Sequence, residues 1–360
     1  MRVFSRLLLA CLCPYLCMGG LPAMAQTLAN LHQVREPVSS QQPQERDAAL
    51  ARALDVLIVR LSGDEAAPGN PGLAALRSNP QQVIRTYGYE SGEPQALAVE
   101  FEPAAVDRAL RQAGIPLWGS NRPSLMLWWL EDGTAGSNLV GDGQPAANIL
   151  RRAGSYRGLP LQLPLADLQE QLLLTPEVLE GLQTQPLQAA SERYSPDALL
   201  LVHAREEDSR WQARWRLQLG ANQEQGSASA TDPAQLADAV LLAVAGRLAP
   251  HFLARSGASE ELTLIIEGSN LARYAELQQV LAGFEARLQG VEDARLTYRV
   301  RANPDQLRSQ LGLLHLQEVP VDTVAVEAPV DASGQTEADG MDAADRQPVQ
   351  PSGTVLRLRW

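Results

Sequence analysis

The chain has 360 residues, a formal net charge of −12 and 30 basic side chains, every one of them arginine. Without lysine it has no Schiff-base amine, no phosphate-loop lysine and no Ser-x-x-Lys nucleophile pair. An acidic chain repels phosphate backbones and anionic lipid, which argues against nucleic acid and a bare membrane surface as partners.

Residues 1–25 read as an export signal: Arg2 and Arg6 at the start, an apolar run from Leu7 to Leu16, then Ala23-Met24-Ala25 as the small-x-small cleavage site. Cleavage is expected between Ala25 and Gln26. A rival site, Leu8-Leu9-Ala10-Cys11, resembles a lipobox, but it leaves only about four apolar residues after Arg6, short of the 7–15 an export signal uses. Cys11, Cys13 and Cys17 are the only cysteines, so cleavage removes every thiol and leaves 335 residues with a net charge of −14. A thiol nucleophile, a thiolate metal site and disulfides are then all excluded. At roughly 150 residues per domain, this length suggests about two domains, or three small ones. No apolar stretch after Ala25 approaches the ~20 residues of a membrane span. The expected compartment is the periplasm of a Gram-negative bacterium.

In the first expected unit, 27–117, Leu31 to Val38 reads as a strand. Pro43 opens a helix with Glu45 and Asp47 in its first turn, where the macrodipole favours acids. Leu50, Leu54, Leu57, Ile58 and Leu61 repeat at helical spacing, and Gly63 ends the helix. Asp64 to Gly72 is a Pro/Gly-rich loop. Leu97, Val99 and Phe101 alternate as a strand, and Pro103 opens a helix running through Val106 and Leu110 to Gly114.

The second unit, 120–256, begins with Ser124 to Leu130, whose unbroken apolar run predicts a central strand covered on both faces. Gly133 to Gly143 reads as a glycine-rich loop, Pro145 to Ala153 as a helix and Leu159 to Leu163 as a short strand. Thr175-Pro176-Glu177 reads as a helix start, and Pro186 to Tyr194 as a further helix. Ala198 to His203 is a second buried strand. Trp211, Ala213, Trp215, Leu217 and Leu219 share one face of a third strand, and Pro233 to Phe252 is a long helix.

The third unit, 260–320 plus 353–360, starts with a strand carrying Leu262, Leu264 and Ile266. Ser269 or Asn270 caps a helix with the face Tyr274, Leu277, Leu281, Phe284 and Leu288. A strand with Leu296, Tyr298 and Val300 follows, then a helix opened by Asn303-Pro304. That order predicts a ferredoxin-like α+β module. Residues 321–352 are acidic and poor in large apolar groups, so disorder is expected there. Val355 to Trp360 alternates and is expected to return as the last strand. The fold class is thus α/β (α+β): two or three small mixed-sheet units in tandem.

Few constellations carry chemistry. His32, His203, His251 and His315 are scattered, without metal-ligand spacing. Glu206, Glu207 and Asp208 are expected in a charged hairpin loop, a poor place for a carboxyl pair of the glycoside-hydrolase kind. Gly268-Ser269-Asn270 reads as a helix cap, and no Gly-x-Ser-x-Gly elbow occurs. Trp118, Arg122, Trp128 and Trp129 form the most unusual cluster. Adjacent tryptophans on a strand point to opposite faces, so they read either as core or as a stacking surface for a sugar or peptide, with Arg122 as its polar anchor. No catalytic, metal-binding or cofactor-binding residue is assigned, and no cofactor is expected.

Several stretches resemble the bacterial exported family carrying the domain of unknown function (DUF) 2066. These are Val34 to Ser39 with Glu45-Arg46, Val59 to Gly63, Ala113 to Gly119 with Arg122-Pro123 and the tryptophan strand, Gly158 to Leu161, Leu163 to Leu168, and Arg193-Tyr194. The resemblance spans about 27–318 and implies a periplasmic setting without a catalytic motif. The second unit is also similar in pattern to α/β domains of envelope-assembly proteins. The functional expectation is a non-enzymatic binding or adaptor protein whose partner is another envelope protein or a cell-wall component. The alternatives are a carboxylate-dependent glycan- or peptidoglycan-processing enzyme and an accessory subunit of an inner-membrane transporter.

Overall fold

A computed structural model describes residues 31–92, 94–133, 136–253, 260–319 and 354–360. The Ala25–Gln26 bond and the acidic stretch 321–352 lie outside the described residues.

The first sheet has the order β1 (Gln33–Pro37), β3 (Ala96–Phe101), β2 (Ile84–Glu90), all antiparallel. Helix α1 (Pro43–Ser62) lays Leu50, Leu54, Leu57 and Ile58 against Val34, Leu97 and Val99. It carries proline in its first turn and stops at Gly63, whose φ of 68° no β-carbon opposes and whose N–H bonds the Val59 carbonyl at 2.7 Å. Short α2 (Ala74–Ser78) and α3 (Pro103–Gln112) close this core.

The second sheet is built on β4 (Leu125–Gly133), with β5 (Gly136–Leu139) antiparallel along its end. Helix α4 (Ala147–Arg157) leads to β6 (Leu161–Gln162), parallel to the start of β4. After α5 (Leu168–Leu173), α6 (Pro176–Glu180) and α7 (Gln185–Ser191), strand β7 (Ala198–Glu207) lies parallel to β4. Strands β8 (Arg210–Leu219) and β9 (Asn222–Ala230) then extend the sheet as an antiparallel meander. Helix α8 (Pro233–Phe252) and α4 cover one face, and α5 to α7 cover the other over β4 and β7. Covering both faces explains the unbroken apolar runs at 125–130 and 198–202.

The third sheet has the order β11-β12-β10-β14-β13. Its elements are β10 (Glu260–Glu267), α9 (Leu271–Leu281), β11 (Glu285–Glu292), β12 (Arg295–Ala302), α10 (Pro304–Gly312), β13 (Gln317–Glu318) and β14 (Thr354–Arg359). Three strands follow ferredoxin-like order, β10 lying antiparallel to β12 and β12 to β11. The terminal strand takes the fourth place but runs parallel to β10, and it pushes β13 to the edge. Leu356 and Leu358 join Leu262, Leu264 and Ile266 in the core. The fold is the mixed α/β class expected from the pattern, with a return strand.

Glu267 fastens β14. Its carboxylate accepts from Arg357 Nε at 3.0 Å, from Arg359 Nη2 at 2.7 Å and from Arg295 Nη2 at 3.2 Å. The hydrogen bonds and charges of Arg357 and Arg359 hold its pKa down to about 2, against a usual 4.5. A carboxylate depressed in the folded state stabilises above its unfolded pKa and loses that contribution as pH falls toward the folded value. Hydrogen exchange of Val355–Arg359, corrected for intrinsic rates, is therefore expected to lose protection between about pH 4.5 and 2, earlier than the β10–β12 ladder. Glu267→Gln is expected to show weak protection across the whole range. Simultaneous loss in both ladders would count against the clasp.

Candidate functional site

The tryptophan–arginine cluster folds into the seam between the first two sheets. Trp118 donates its backbone N–H to the Leu61 carbonyl at 2.6 Å, and its ring stacks on Phe252 with centroids 6.0 Å apart. The Arg122 guanidinium sits 4.0 Å over the same ring. It donates to the carbonyls of Arg60 at 2.6 Å, Trp118 at 2.9 Å, Gly119 at 3.1 Å and Gly158 at 3.3 Å. Arg60 mirrors it, donating to Leu31 at 2.9 Å, Gln33 at 2.7 Å and Tyr156 at 2.9 Å. Among the described residues neither guanidinium has a carboxylate within ion-pair distance. The negative ends of α1 and α4 face them instead. Burial pushes Arg60 down to about 10 and, helped by the Arg60 charge, pushes Arg122 well below the usual arginine value.

Trp128 and Trp129 point to opposite faces of β4. Trp128 lies under α7 and donates to Ser191 Oγ at 3.0 Å, while Trp129 joins the α8 side and donates to Glu131 Oε1 at 3.0 Å. Trp118, Arg122, Trp128 and Trp129 are all 0–1% exposed. The expectation of a partner surface built from them is corrected: these side chains are core and seam, and none reaches a ligand from solvent.

His203 is buried on β7, its Nε2 2.6 Å from Asp132 Oδ2. Burial pushes the Asp132 carboxyl up, but hydrogen bonds from Ser137 and His203 and the Arg205 charge outweigh it and hold the group low. Ser137 bonds the carboxylate, not the imidazole, so the order of a nucleophile–base–acid relay is not formed. Among the described residues no three His, Cys, Asp or Glu side chains cluster to hold a metal.

A broad, half-open cleft is one the sequence did not single out. About 1540 Å³ in volume, it opens between the lower end of β7–β8 and helix α9. Its lining mixes neutral hydrogen-bonding groups (Ser120, Asn121, Gln188, Ser195, Gln218 and Gln279) with the ionisable side chains of Glu192, Arg273, Glu276 and His315. Trp360, the residue after β14, forms part of the wall, with the Arg273 guanidinium 5.4 Å from its ring. Asn121, in the lining, donates its Nδ2 to Gln310 Oε1 on α10 at 2.9 Å. Asp197 lines the same cleft. Burial pushes its carboxyl up, against hydrogen bonds from Ser124 N at 2.7 Å and Oγ at 2.8 Å and the charge of His315. The sequence signal for Asp197 was an acid placed directly before the buried run 198–202. For Trp360 it was the aromatic closing an alternating tail.

Among known proteins, a family model described as "Domain of unknown function (DUF8605)" matches residues 25–119, which take in the first sheet, its helices and Trp118. This corrects the resemblance to DUF2066, a different domain. The segments that carried it are helix ends, turns and buried strands, which folding demands of α/β units whatever their ancestry. No curated protein matches. A matching solved structure is that of a lipoprotein from Neisseria meningitidis, at 16% identity and a TM-score of 0.19, over 35% of this chain and 98% of that one. At that TM-score the likeness carries neither fold nor function across. Among the described residues no helix is long and apolar enough to cross a membrane.

Proposed function

We propose that the protein is a non-enzymatic binding protein of the bacterial cell envelope, and that a glycan strand of the cell wall occupies the cleft between the second and third sheets. The observation that supports this reading is the lining itself. Side-chain amides and hydroxyls with one aromatic wall match the alternating hydroxyl and apolar faces of a sugar, and Glu192, Arg273 and Glu276 add charged groups that can bond its hydroxyls. The volume exceeds the ~300–1,000 Å³ of ordinary small-molecule pockets, which suits several sugar units better than one metabolite. The export signal supports the envelope setting. The intact mass of secreted protein is expected to begin at Gln26, and a species retaining Cys11 or a lipid would overturn that assignment.

The binding test uses soluble peptidoglycan fragments titrated into the whole chain, followed by calorimetry. Saturable binding is expected, weakened roughly tenfold, about 1.4 kcal/mol, in Gln218→Ala/Gln279→Ala. Absence of heat at millimolar fragment would end the glycan reading.

Asp197 favours one second reading. A carboxyl with raised pKa in a cleft is what a general acid needs. Release of fragments from intact peptidoglycan, lost in Asp197→Asn, would make the protein a carboxylate-dependent hydrolase. Binding without release, unchanged by Asp197→Asn, supports the adaptor.

A further inference from the structure

The far edge of the second sheet has the build of a strand-docking site. Strand β9, nine residues long, pairs only with β8 among the described residues, and its ladder from Asn222 to Ala230 has no bulge. The turn at Gly220-Ala221 makes Leu219–Asn222 the closing hydrogen-bonded pair. Alternate residues Gln223, Gln225, Ser227 and Ser229 therefore turn N–H and C=O away from β8. Edges are normally blunted by lysine, proline, a bulge or a short length. β9 has none of these; its one charge, Glu224, faces inward and pairs with Arg247 of α8 at 3.3 Å, and no backbone group of the described residues bonds its outer side.

The sheet face beside this edge is basic although the protein is acidic. Helices α5 to α7 cover β4 and β7 and leave β8–β9 open, so Gln223, Gln225, Ser227 and Ser229 are exposed. Arg205, Arg210, Arg214 and Arg216 share that open face. Two acids share it as well: Asp132 takes Arg205 at 3.3 Å, and Glu207 stands opposite Arg210 in register. Among the described residues no carboxylate lies within ion-pair distance of Arg214 or Arg216, and Arg216 meets only Gln225, at 3.2 Å.

We propose that β9 and this arginine face bind an extended acidic peptide segment of a partner protein, which adds as a sixth strand of the main ladder. Main-chain bonds to Gln223, Gln225, Ser227 and Ser229 provide affinity, and carboxylates at alternate positions provide specificity. An added strand lies roughly 9.6 Å from β8, two strand spacings away, with only Ser227 and Gln225 between. Arginine and glutamate side chains span that gap toward each other. A second copy of this chain is disfavoured at the same edge, because a twofold pairing of β9 with β9 brings like-charged arginine pairs onto one face.

The probe is a labelled ten-residue peptide alternating Glu and Thr, titrated against the whole chain by fluorescence anisotropy at low salt. Saturable binding is expected, at least tenfold weaker in Arg214→Glu/Arg216→Glu, and lost when Arg replaces Glu in the peptide. Ser227→Pro, which removes an outward N–H and leaves the β8 ladder intact, is expected to weaken binding at least tenfold. So is N-methylation of alternate peptide residues, which leaves the protein unchanged. Three results would each overturn the proposal: no binding at 1 mM peptide, binding indifferent to both protein variants and N-methylation, or a concentration-dependent dimer that Ser227→Pro dissolves. None of them bears on the glycan titration of the other cleft.

Discussion

Gly63→Ala is expected to destabilise the protein by about 2–5 kcal/mol, combining strain at a left-handed residue with overpacking. An alanine β-carbon there would lie 2.0 Å from Ala249 Cβ, and φ is +68°. Gly63 is where the end of α1 crosses α8, so the substitution pushes the first core off the second. The two causes separate in a double-mutant cycle. Ala249→Gly alone costs about 1 kcal/mol as a glycine inside a helix. In combination it removes the clash and leaves only the backbone strain, so a favourable coupling of about 1–3 kcal/mol is expected. Urea denaturation followed by tryptophan fluorescence reads both values, because Trp118 sits in the same seam. Additive losses would mean that the two helices yield without resistance.

The sequence was most legible where one physical demand acted alone. The end of α1 at Gly63, the proline starts of α1, α3, α8 and α10, and the doubly covered runs on β4 and β7 needed only capping chemistry and burial. Strand β9 was not foreseen. It reads Asn-Gln-Glu-Gln-Gly-Ser-Ala-Ser-Ala, with no β-branched residue, and its inner face is filled from outside by Trp215, whose ring occupies the space of a missing β-carbon at Gly226. Phe284 and Leu288 looked like the continuation of a helical stripe. The helix stops at Leu281, and Leu288 belongs to β11. Glu206 and Glu207, expected in a loop, extend β7, because the turn needs only Asp208 and Ser209, both at positive φ. The cleft is illegible in the sequence for a different reason. Its walls come from residues near 120, 188–199, 218–220, 270–280, 313–315 and 360, and only the pairing of β14 beside β10 brings the last of these to the others. The tryptophan pair leaves two readings open in the sequence, because aromatic density marks cores and binding surfaces alike, and burial decides for the core.

Arg122→Met tests whether the seam is held by charge-assisted hydrogen bonds or by packing. Methionine keeps an unbranched apolar stem over Trp118 and removes all five donors. The carbonyls of Arg60, Trp118, Gly119 and Gly158 then lose their donor. An unsatisfied buried acceptor costs about 1–3 kcal/mol, so a loss of at least about 4 kcal/mol is expected. Arg122→Lys is expected to fall between, since an ammonium offers three donors without the planar fork or the stacking face. The arrangement also predicts a sign for the Arg60 pairing. The two guanidinium groups repel in a buried seam and are tolerated because the carbonyl ends of α1 and α4 converge on them. Removing either charge relieves the other. Each single loss is offset by relief of that repulsion, whereas the Arg60→Met/Arg122→Met double variant gains the relief only once, so it should cost more than the two single losses together. A hydrophobic seam would instead make Arg122→Met nearly neutral, as replacement of buried ionic groups sometimes is. Denaturation of the four variants, Arg122→Met, Arg122→Lys, Arg60→Met and the double, decides between these. Arg122 bonds carbonyls at the ends of both α1 and α4, so unfolding of Arg122→Met in two steps, one sheet ahead of the other, is the expected outcome.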